Sequence, residues 1–563
     1  MNKTSPYDSP RTLWALTIAF LLIWFYMLGA RTLVPTDEGR YAQMGREMLA
    51  SGDWITLRLN GIKYFEKPPL QNWMNALTFA VFGLGDWQAR LWTGLNGLLG
   101  VAAVAYTGNK IFNRRTGIIA AMVLGSSFWW AGMGHVNSLD MGLSGMMTLA
   151  LCGLLVAQRA GVNSKTERNA MLVCWAGMAL ATMSKGLIGF VLPGGVLVIY
   201  TVVTRDWGLW KRLHMGKGLI LFFAITAPWF ILIAIKNPEH PHFFFIHEHF
   251  QRFTSTVHKR GGPWHYFIPL LIIGIVPWIG VLLQGLWSGV KDNPPGFQPR
   301  KMLFIWAAFL FFFFSISGSK LPGYILPIFP ALALLIACHL EQNDSRPVKV
   351  AGILLILVGI AGAIGLAVYL IKLDSVDTFD RTLAIGYTPW IVGIIALAIV
   401  GGILTWLLAC KGTTGKDWAI ICLAASGYLV GQVAFLGHNP WGKYIAGSEY
   451  LPAIKAELTS PTTPFYAVGR YEQALPFYLE RTVTLVEFPD EMQFGLHQQP
   501  ELWIPKREDF IAKWLAHQNK GETAVAILRN DIYEDLKKTD FPMRLIAKDP
   551  RRVIVANLVN KNK

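Results

Sequence analysis

Residues 13–41 read LWALTIAFLLIWFYMLGARTLVPTDEGRY, and this stretch decides the fold. Its first part, 13–30, carries no charge. About 20 apolar residues in a helix cross the hydrocarbon core of a bilayer. A cleaved signal peptide is the other reading of such a run, but this one is long and has no clear small-residue cleavage site. Arg31 follows at once, then Asp37, Glu38, Arg40 and Tyr41. Ionisable groups at membrane depth are costly and are functional candidates by default. A span that opens directly onto such a cluster therefore reads as part of a membrane protein with a site on one face.

The apolar run recurs along the chain. Candidate spans fall at 13–30, 76–106, 116–134, 141–157, 170–184, 187–203, 218–235, 266–287, 302–316, 321–340, 349–371, 389–409 and 418–436, which predicts about 13 transmembrane helices. Composition agrees. Of the 563 residues 53% are hydrophobic and 15% charged, against about 25% charged in soluble domains. Mean hydropathy is +0.38. These values exclude a soluble enzyme and a disordered chain. The net charge of +16 fits basic cytoplasmic loops and anionic headgroups, so no nucleic acid partner is expected. All five cysteines sit in or at the end of apolar runs, and no disulfide framework is indicated.

Orientation follows from the short basic connections. Lys110, Arg114 and Arg115, then Arg159, Lys165 and Arg168, then Arg205, Lys211 and Arg212 belong in the cytoplasm. The loops 31–75, 236–265 and 372–388 then lie outside. An odd number of crossings also puts the C-terminus outside. The expected domains are a membrane catalytic domain over 1–436, with its first outer loop at 31–75, and a small soluble α/β domain over 437–563. In the latter, strand-like runs at 464–468, 482–487, 523–528 and 552–558 alternate with helical segments at 507–518 and 529–538.

The outer loops hold the chemistry. Asp37 and Glu38 gain nothing as interfacial anchors, whereas Arg46, Arg58 and Lys63 fit that use. Tyr64, Glu66 and Lys67 form a second cluster before Pro68 and Pro69. Asp140 opens the fourth span, where helix capping is the alternative use for an aspartate. Lys320 lies among glycines beside Tyr324, and Lys185 has a similar setting; an ammonium with backbone amides suits an anion. The 236–265 loop holds six of the twelve histidines. His247 with Glu66 is a candidate zinc pair, although the spacing matches no zinc motif. Arg252 is a candidate phosphate ligand, since guanidinium matches phosphoryl oxygens. Carboxylates and cations on one face suit a lipid-phosphate substrate, with cations on the phosphate and a carboxylate on the acceptor.

These residues resemble a known family. Asp37-Glu38 after the first span, Asp140, Lys185-Gly186, Phe65-Glu-Lys-Pro-Pro69 and Ser319-Lys-Leu-Pro-Gly-Tyr-Ile-Leu-Pro327 are similar to the bacterial aminoarabinose transferases, which are GT-C membrane glycosyltransferases related to the protein O-mannosyltransferases. The resemblance covers about 1–440. It implies the GT-C fold and an inverting transfer of 4-amino-4-deoxy-L-arabinose from undecaprenyl phosphate to a lipid A phosphate. The setting would be the periplasmic face of a bacterial inner membrane, and the consequence polymyxin resistance. It implies Asp37, Glu38 and Asp140 as the acidic catalytic set, with Asp37 nearest the reaction. Lys67, Arg40, Arg252 and Lys320 would take the donor phosphate. Tyr41, Tyr64 and Tyr324 would line the pocket. No cofactor is required, and a zinc on Glu66 and His247 would be structural. The partners are the lipid-linked sugar, lipid A and membrane lipids, and a monomer is expected. A related transferase with another sugar or acceptor shares the same face. A transporter or flippase is the reading from a different class, and there internal repeats and midplane charges are expected; the sequence has neither.

Overall fold

The computed structural model describes residues 5–251, 261–291, 296–372 and 378–559, with backbone alone at 247–251, 378–380, 414 and 490. Among the described residues eight helices are long and apolar enough to cross a membrane, and a bent pair makes a ninth. The chain is a multi-pass membrane protein. Its long helices divide by burial. The spanning windows of Arg346–Ile371 and Pro10–Leu28 are 11% and 17% buried, whereas those of Leu139–Arg159 and Pro322–Gln342 are 94% and 89% buried. A helix that is apolar all round and still exposed needs hydrocarbon as its solvent. The buried pair forms the centre of the bundle.

The expected spans are corrected in three places. The run 76–106 is two helices, α3 (Leu70–Phe82) and α4 (Asp86–Ile111). Gly83 between them adopts φ +77°, a conformation that breaks a helix and suits glycine. The run 116–134 is α5 (Arg114–Ser126) and α6 (Phe128–Met133), parted where Ser127 takes an extended backbone. The run 266–287 is Phe267–Gly274 and Ile279–Lys291, bent by 109° around Pro277, which cannot donate within a helix. Ile188–Thr204 is a shorter apolar helix. Among the described residues, length and composition therefore do not reach thirteen full-length spans.

Two compact units make up the chain. The first comprises Met1–Arg31, Glu66–Gln71 and Arg90–Pro440; the second comprises Thr32–Phe65, Asn72–Ala89 and Trp441–Lys563. In the first, α1 (Pro10–Leu28) ends at Gly29. The fully buried Arg90 then donates to the carbonyls of Leu28 and Arg31, at 2.9 and 2.7 Å. Those carbonyls lack helical partners, and the guanidinium satisfies them.

The second unit contains α2 (Asp37–Ser51), the hairpin β1 (Arg58–Leu59) and β2 (Ile62–Lys63), and a six-stranded sheet. Asn60 and Gly61 turn the hairpin with φ +57° and +79°, the Asn-Gly pattern of tight hairpins. The sheet order is β5-β4-β3-β6-β8-β7, with β3 (Phe465–Val468), β4 (Thr484–Val486), β5 (Trp503–Ile504), β6 (Val525–Leu528), β7 (Arg544–Lys548) and β8 (Val553–Ala556). Strands β3 to β6 pair in parallel, and β8 runs antiparallel to β6 and β7. Tyr466, Val468 and Val555 pack under Phe510 and Trp514 of the Arg507–Asn519 helix. The expected α/β content is present. Strands β5 and β7 went unpredicted, one being two residues long and the other an exposed edge with basic ends.

Candidate active site

In the first unit the site is built where α7 (Leu139–Arg159) begins. Ser138 is its N-cap residue and Asp140 stands one position inside the first turn. Capping is therefore not what Asp140 does: its carboxylate forms an ion pair with Lys185, and each side chain is only 12% exposed. Lys185 is the last residue of α8 (Lys165–Lys185), and Gly186 follows at φ +94°, ψ −158°. Side chains are excluded from that backbone region, which explains the Lys185-Gly186 pattern. The Lys185 ammonium also lies 4.6 Å from the centre of the Tyr324 ring, a cation–π contact.

Tyr324 sits in the tight turn Pro322–Ile328. Its neighbour Gly323 packs against Asp140 so closely that an added Cβ would stand 2.5 Å from a carboxylate oxygen. Four positions thus converge: Asp140, Lys185, Gly323 and Tyr324. The sequence marks Lys185 by its motif but does not pair it with Asp140. Lys320 is buried, and its ammonium donates to the Ser317 carbonyl at 2.7 Å. Lys67 donates to the Glu66 carbonyl at 2.8 Å and lies 3.8 Å from the Glu66 carboxylate.

In the second unit α2 carries the other carboxylates. Asp37 and Glu38 occupy its first turn, where the helix dipole favours negative charge. Their environments differ. Glu38 is buried and accepts from the Val34 amide at 2.9 Å. The Asp37 side chain is 45% exposed and lies 3.9 Å from Arg40. Arg40 pairs with Glu491 at 2.6 Å and donates to the Tyr64 hydroxyl at 3.2 Å. Burial works against the Arg40 charge. Tyr64, Glu491, Tyr41 and Asp37 outweigh it and hold the guanidinium well above its ordinary value. Tyr41 is buried, and its carbonyl accepts from Asn75 at 3.1 Å. Glu491 was not found from the sequence, since no local pattern links a residue of the C-terminal segment to α2.

Arg252 and the His247 side chain lie outside the described residues. Among the described residues no group of three or more His, Cys, Asp or Glu is arranged to hold a metal ion. The placed groups can do two things chemically. An ion-paired aspartate, as Asp140 is, orients a polar substrate better than it abstracts a proton. Asp37, half exposed and 3.9 Å from Arg40, is reachable by a polar substrate.

Residues 450–557 match the aminoarabinose transferase C-terminal domain, and residues 9–287 match the dolichyl-phosphate-mannose-protein mannosyltransferase family. The crystal structure of ArnT from Cupriavidus metallidurans bound to undecaprenyl phosphate is 39% identical. It covers 97% of this chain, this chain covers 98% of it, and the TM-score is 0.89. Among curated proteins, the undecaprenyl phosphate-alpha-4-amino-4-deoxy-L-arabinose arabinosyl transferase of Edwardsiella ictaluri is 29% identical over 91% of this chain and 93% of its own length. A Proteus mirabilis protein named as the second such transferase is 27% identical over 93% of each.

Proposed function

This chain belongs to the aminoarabinose transferase family, and from that membership we infer a membrane glycosyltransferase acting on a lipid-linked sugar. It takes 4-amino-4-deoxy-L-arabinose from undecaprenyl phosphate and attaches it to a lipid A phosphate. The reaction belongs on the periplasmic face of a bacterial inner membrane. The observation that carries the reading is the 39% identity, over nearly the whole of both chains, to an ArnT bound to undecaprenyl phosphate.

The acceptor is a phosphate, ionised near neutral pH, so it attacks without losing a proton to a strong base. Its oxygen forms a bond to the anomeric carbon from the side opposite the leaving group. The bond from that carbon to undecaprenyl phosphate breaks, and the electron pair stays on the departing phosphate oxygen. One inverting displacement balances the reaction. The charge gathering on the leaving group is what needs stabilising. Lys67, Arg252 and Lys320 do this. Asp37 orients the acceptor or holds the amine of the sugar. Asp140 assists, held in place by Lys185. Glu38 and Arg40 are positioning residues, because the carboxylate of one is engaged by Val34 and the guanidinium of the other by Glu491. Tyr41, Tyr64 and Tyr324 contribute rings and hydroxyls to substrate binding. The transferred amine offsets phosphate charge on lipid A, which weakens its attraction for polymyxin. A zinc on Glu66 and His247 remains part of this proposal as a structural ion, and so does the monomeric state.

The test is complementation of a strain lacking its own aminoarabinose transferase. Restored polymyxin survival, with the aminoarabinose mass increment on lipid A, is the expected result. Absence of that increment with well-expressed protein overturns the assignment of sugar and acceptor.

A further inference from the structure

A cleft of about 890 Å³ opens entirely within the second unit, between the C-terminal half of α2, the β1–β2 hairpin and the segments around Ser460 and Glu480. Asp37 is not among its lining residues, and the cleft plays no part in the mechanism above. Four cations face it, Arg46, Arg58, Lys455 and Arg481, against two carboxylates, Glu47 and Glu480.

The cations are held, but not neutralised. Arg46 donates to the Glu480 carbonyl at 2.9 Å and to Gln43 at 2.9 Å. Arg58 donates to the Gly61 carbonyl at 3.0 Å, and Arg481 to the Thr463 carbonyl. Every one of these acceptors is a neutral oxygen, and among the described residues none of the four cations has a carboxylate ion pair. The buried Glu47 is already committed: it accepts from the amides of Asn60 and Gly61, each at 2.8 Å, and from Gln43 at 2.6 Å. Burial pulls the Arg46 and Arg481 guanidiniums below their ordinary values, and for Arg46 it outweighs the raising effects of Glu47, Glu480 and Tyr471. Glu480 adopts φ +55°, rare for a residue with a side chain, and turns its carbonyl to Arg46.

We propose that this cleft is a second anion site, which binds a phosphorylated saccharide head group. Guanidiniums fixed at one edge leave their remaining donors for phosphoryl oxygens. The hydroxyls of Ser51, Ser460 and Thr482 line the same cleft and suit sugar hydroxyls. No aromatic ring lines it, so a base that binds by stacking is not its ligand. The volume lies within the range of roughly 300–1,000 Å³ for small-molecule sites. The inference deepens the proposed function and rests on it for the natural ligand: a phosphate-bearing part of the glycolipid acceptor other than the reacting phosphate. The same chemistry is offered by a free sugar phosphate or by the head group of another anionic glycolipid.

The experiment uses the purified full-length protein in detergent and glucose 1,6-bisphosphate as the probe. Wild type is compared with the Arg58→Ala/Lys455→Glu variant, and with Lys455→Glu alone, whose exposed side chain leaves folding undisturbed. Saturable binding that weakens tenfold or more in the double variant, and partly in Lys455→Glu, is expected. Asp37→Asn should bind the probe as wild type does. No saturable binding, or binding equal in wild type and variants, overturns the proposal. Transfer kinetics then separate the sources. A lipid A KM raised fivefold or more with unchanged kcat assigns the cleft to the acceptor. Unchanged KM alongside lost bisphosphate binding assigns it to a phosphate from elsewhere. If wild type transfers no sugar to lipid A, the functional reading fails, and the bisphosphate measurement still decides the cleft.

Discussion

Asp140 and Lys185 stand 45 residues apart in the sequence and form an ion pair with both side chains nearly buried. Their helices α7 and α8 pack side by side, and the pair joins the start of one to the end of the other. A carboxylate at a helix N-terminus and an ammonium at a C-terminus are each placed where the dipole favours them.

The pair should behave as one unit. Lys185→Met leaves a buried carboxylate without its partner, a change that costs roughly 3–5 kcal/mol in such settings. Asp140→Asn should be milder, since the amide still accepts. The Asp140→Leu/Lys185→Met double variant should be more stable than Lys185→Met alone, because neither charge is then stranded. Melting temperatures of the purified variants check this order. A double variant that melts below both single variants would refute it. In lipid A transfer, the double variant should be no slower than the slower single one.

Gly323 offers a geometric test of the same pair. Its added Cβ would stand 2.5 Å from Asp140, and Asp140 is held between Lys185 and this turn. Gly323→Ala should cost about 1–3 kcal/mol and reduce transfer along with it. Gly142 is the control. Its added Cβ meets Ser184 at 3.6 Å, an ordinary contact, so Gly142→Ala should leave both melting temperature and rate nearly unchanged.

The polytopic GT-C architecture and the C-terminal sheet domain were legible in the sequence, for a plain reason. Long uncharged runs and β-branched strand runs such as 523–528 announce themselves at fixed periods. The breaks inside runs were not legible. Hydropathy registers Gly83 and Ser127 as minor dips, while the backbone angles at those residues end a helix. At the site, Asp140 and Lys320 could be singled out by isolation in apolar sequence, and Tyr324 by standing close to Lys320. Glu491 could not, because its meaning comes only from folding the C-terminal segment onto α2. The positions of Arg46 and Arg58 suggested membrane anchoring. Whether a cation faces lipid or a cleft depends on tertiary packing, which charge and spacing along the chain do not encode.

The Arg40–Glu491 contact predicts a strong coupling within the second unit. Its 2.6 Å length and the shared Tyr64 hydroxyl make it a charge-assisted network. Glu491→Ala should cost more than a surface pair would, about 1.5–3 kcal/mol. A double-mutant cycle with Arg40→Ala should return a coupling of about 1 kcal/mol or more. Thermal unfolding followed by a probe in the C-terminal domain reads it. Additive effects would show that the pair is incidental.

Glu47 predicts a pH dependence. Burial raises its pKa above the ordinary carboxylate value, against the lowering effects of the Gly61 amide, Arg46, Gln43 and the Asn60 amide. The folded state therefore keeps this proton to a higher pH than the unfolded chain does. The associated stability is fully present below the ordinary carboxylate pKa of about 4.3 and is lost as pH rises through the raised value. Glu47→Gln removes the titration and keeps one acceptor for the hairpin amides. The melting temperature of wild type should fall relative to Glu47→Gln as pH climbs from 4 to 7, taken as roughly the window just above the ordinary value. A constant difference would refute the shift.

Asp37 and Glu38 are neighbours whose exposure assigns them opposite consequences. Glu38 is buried and its oxygen accepts the Val34 amide, so it holds the chain entering α2. Asp37 is half exposed and lies 3.9 Å from Arg40. Glu38→Gln should therefore lower the melting temperature and affect transfer in proportion. Asp37→Asn should leave the melting temperature unchanged and lower kcat for transfer to lipid A by about 100-fold or more, the scale of a lost acid–base or orienting group. A glutamate in its place should restore little, because a carboxylate moved outward by one methylene no longer meets the acceptor in the same geometry. Equal stability loss in Asp37→Asn and Glu38→Gln, with equal loss of rate, would mean that both carboxylates are structural and that the acceptor is oriented by other groups.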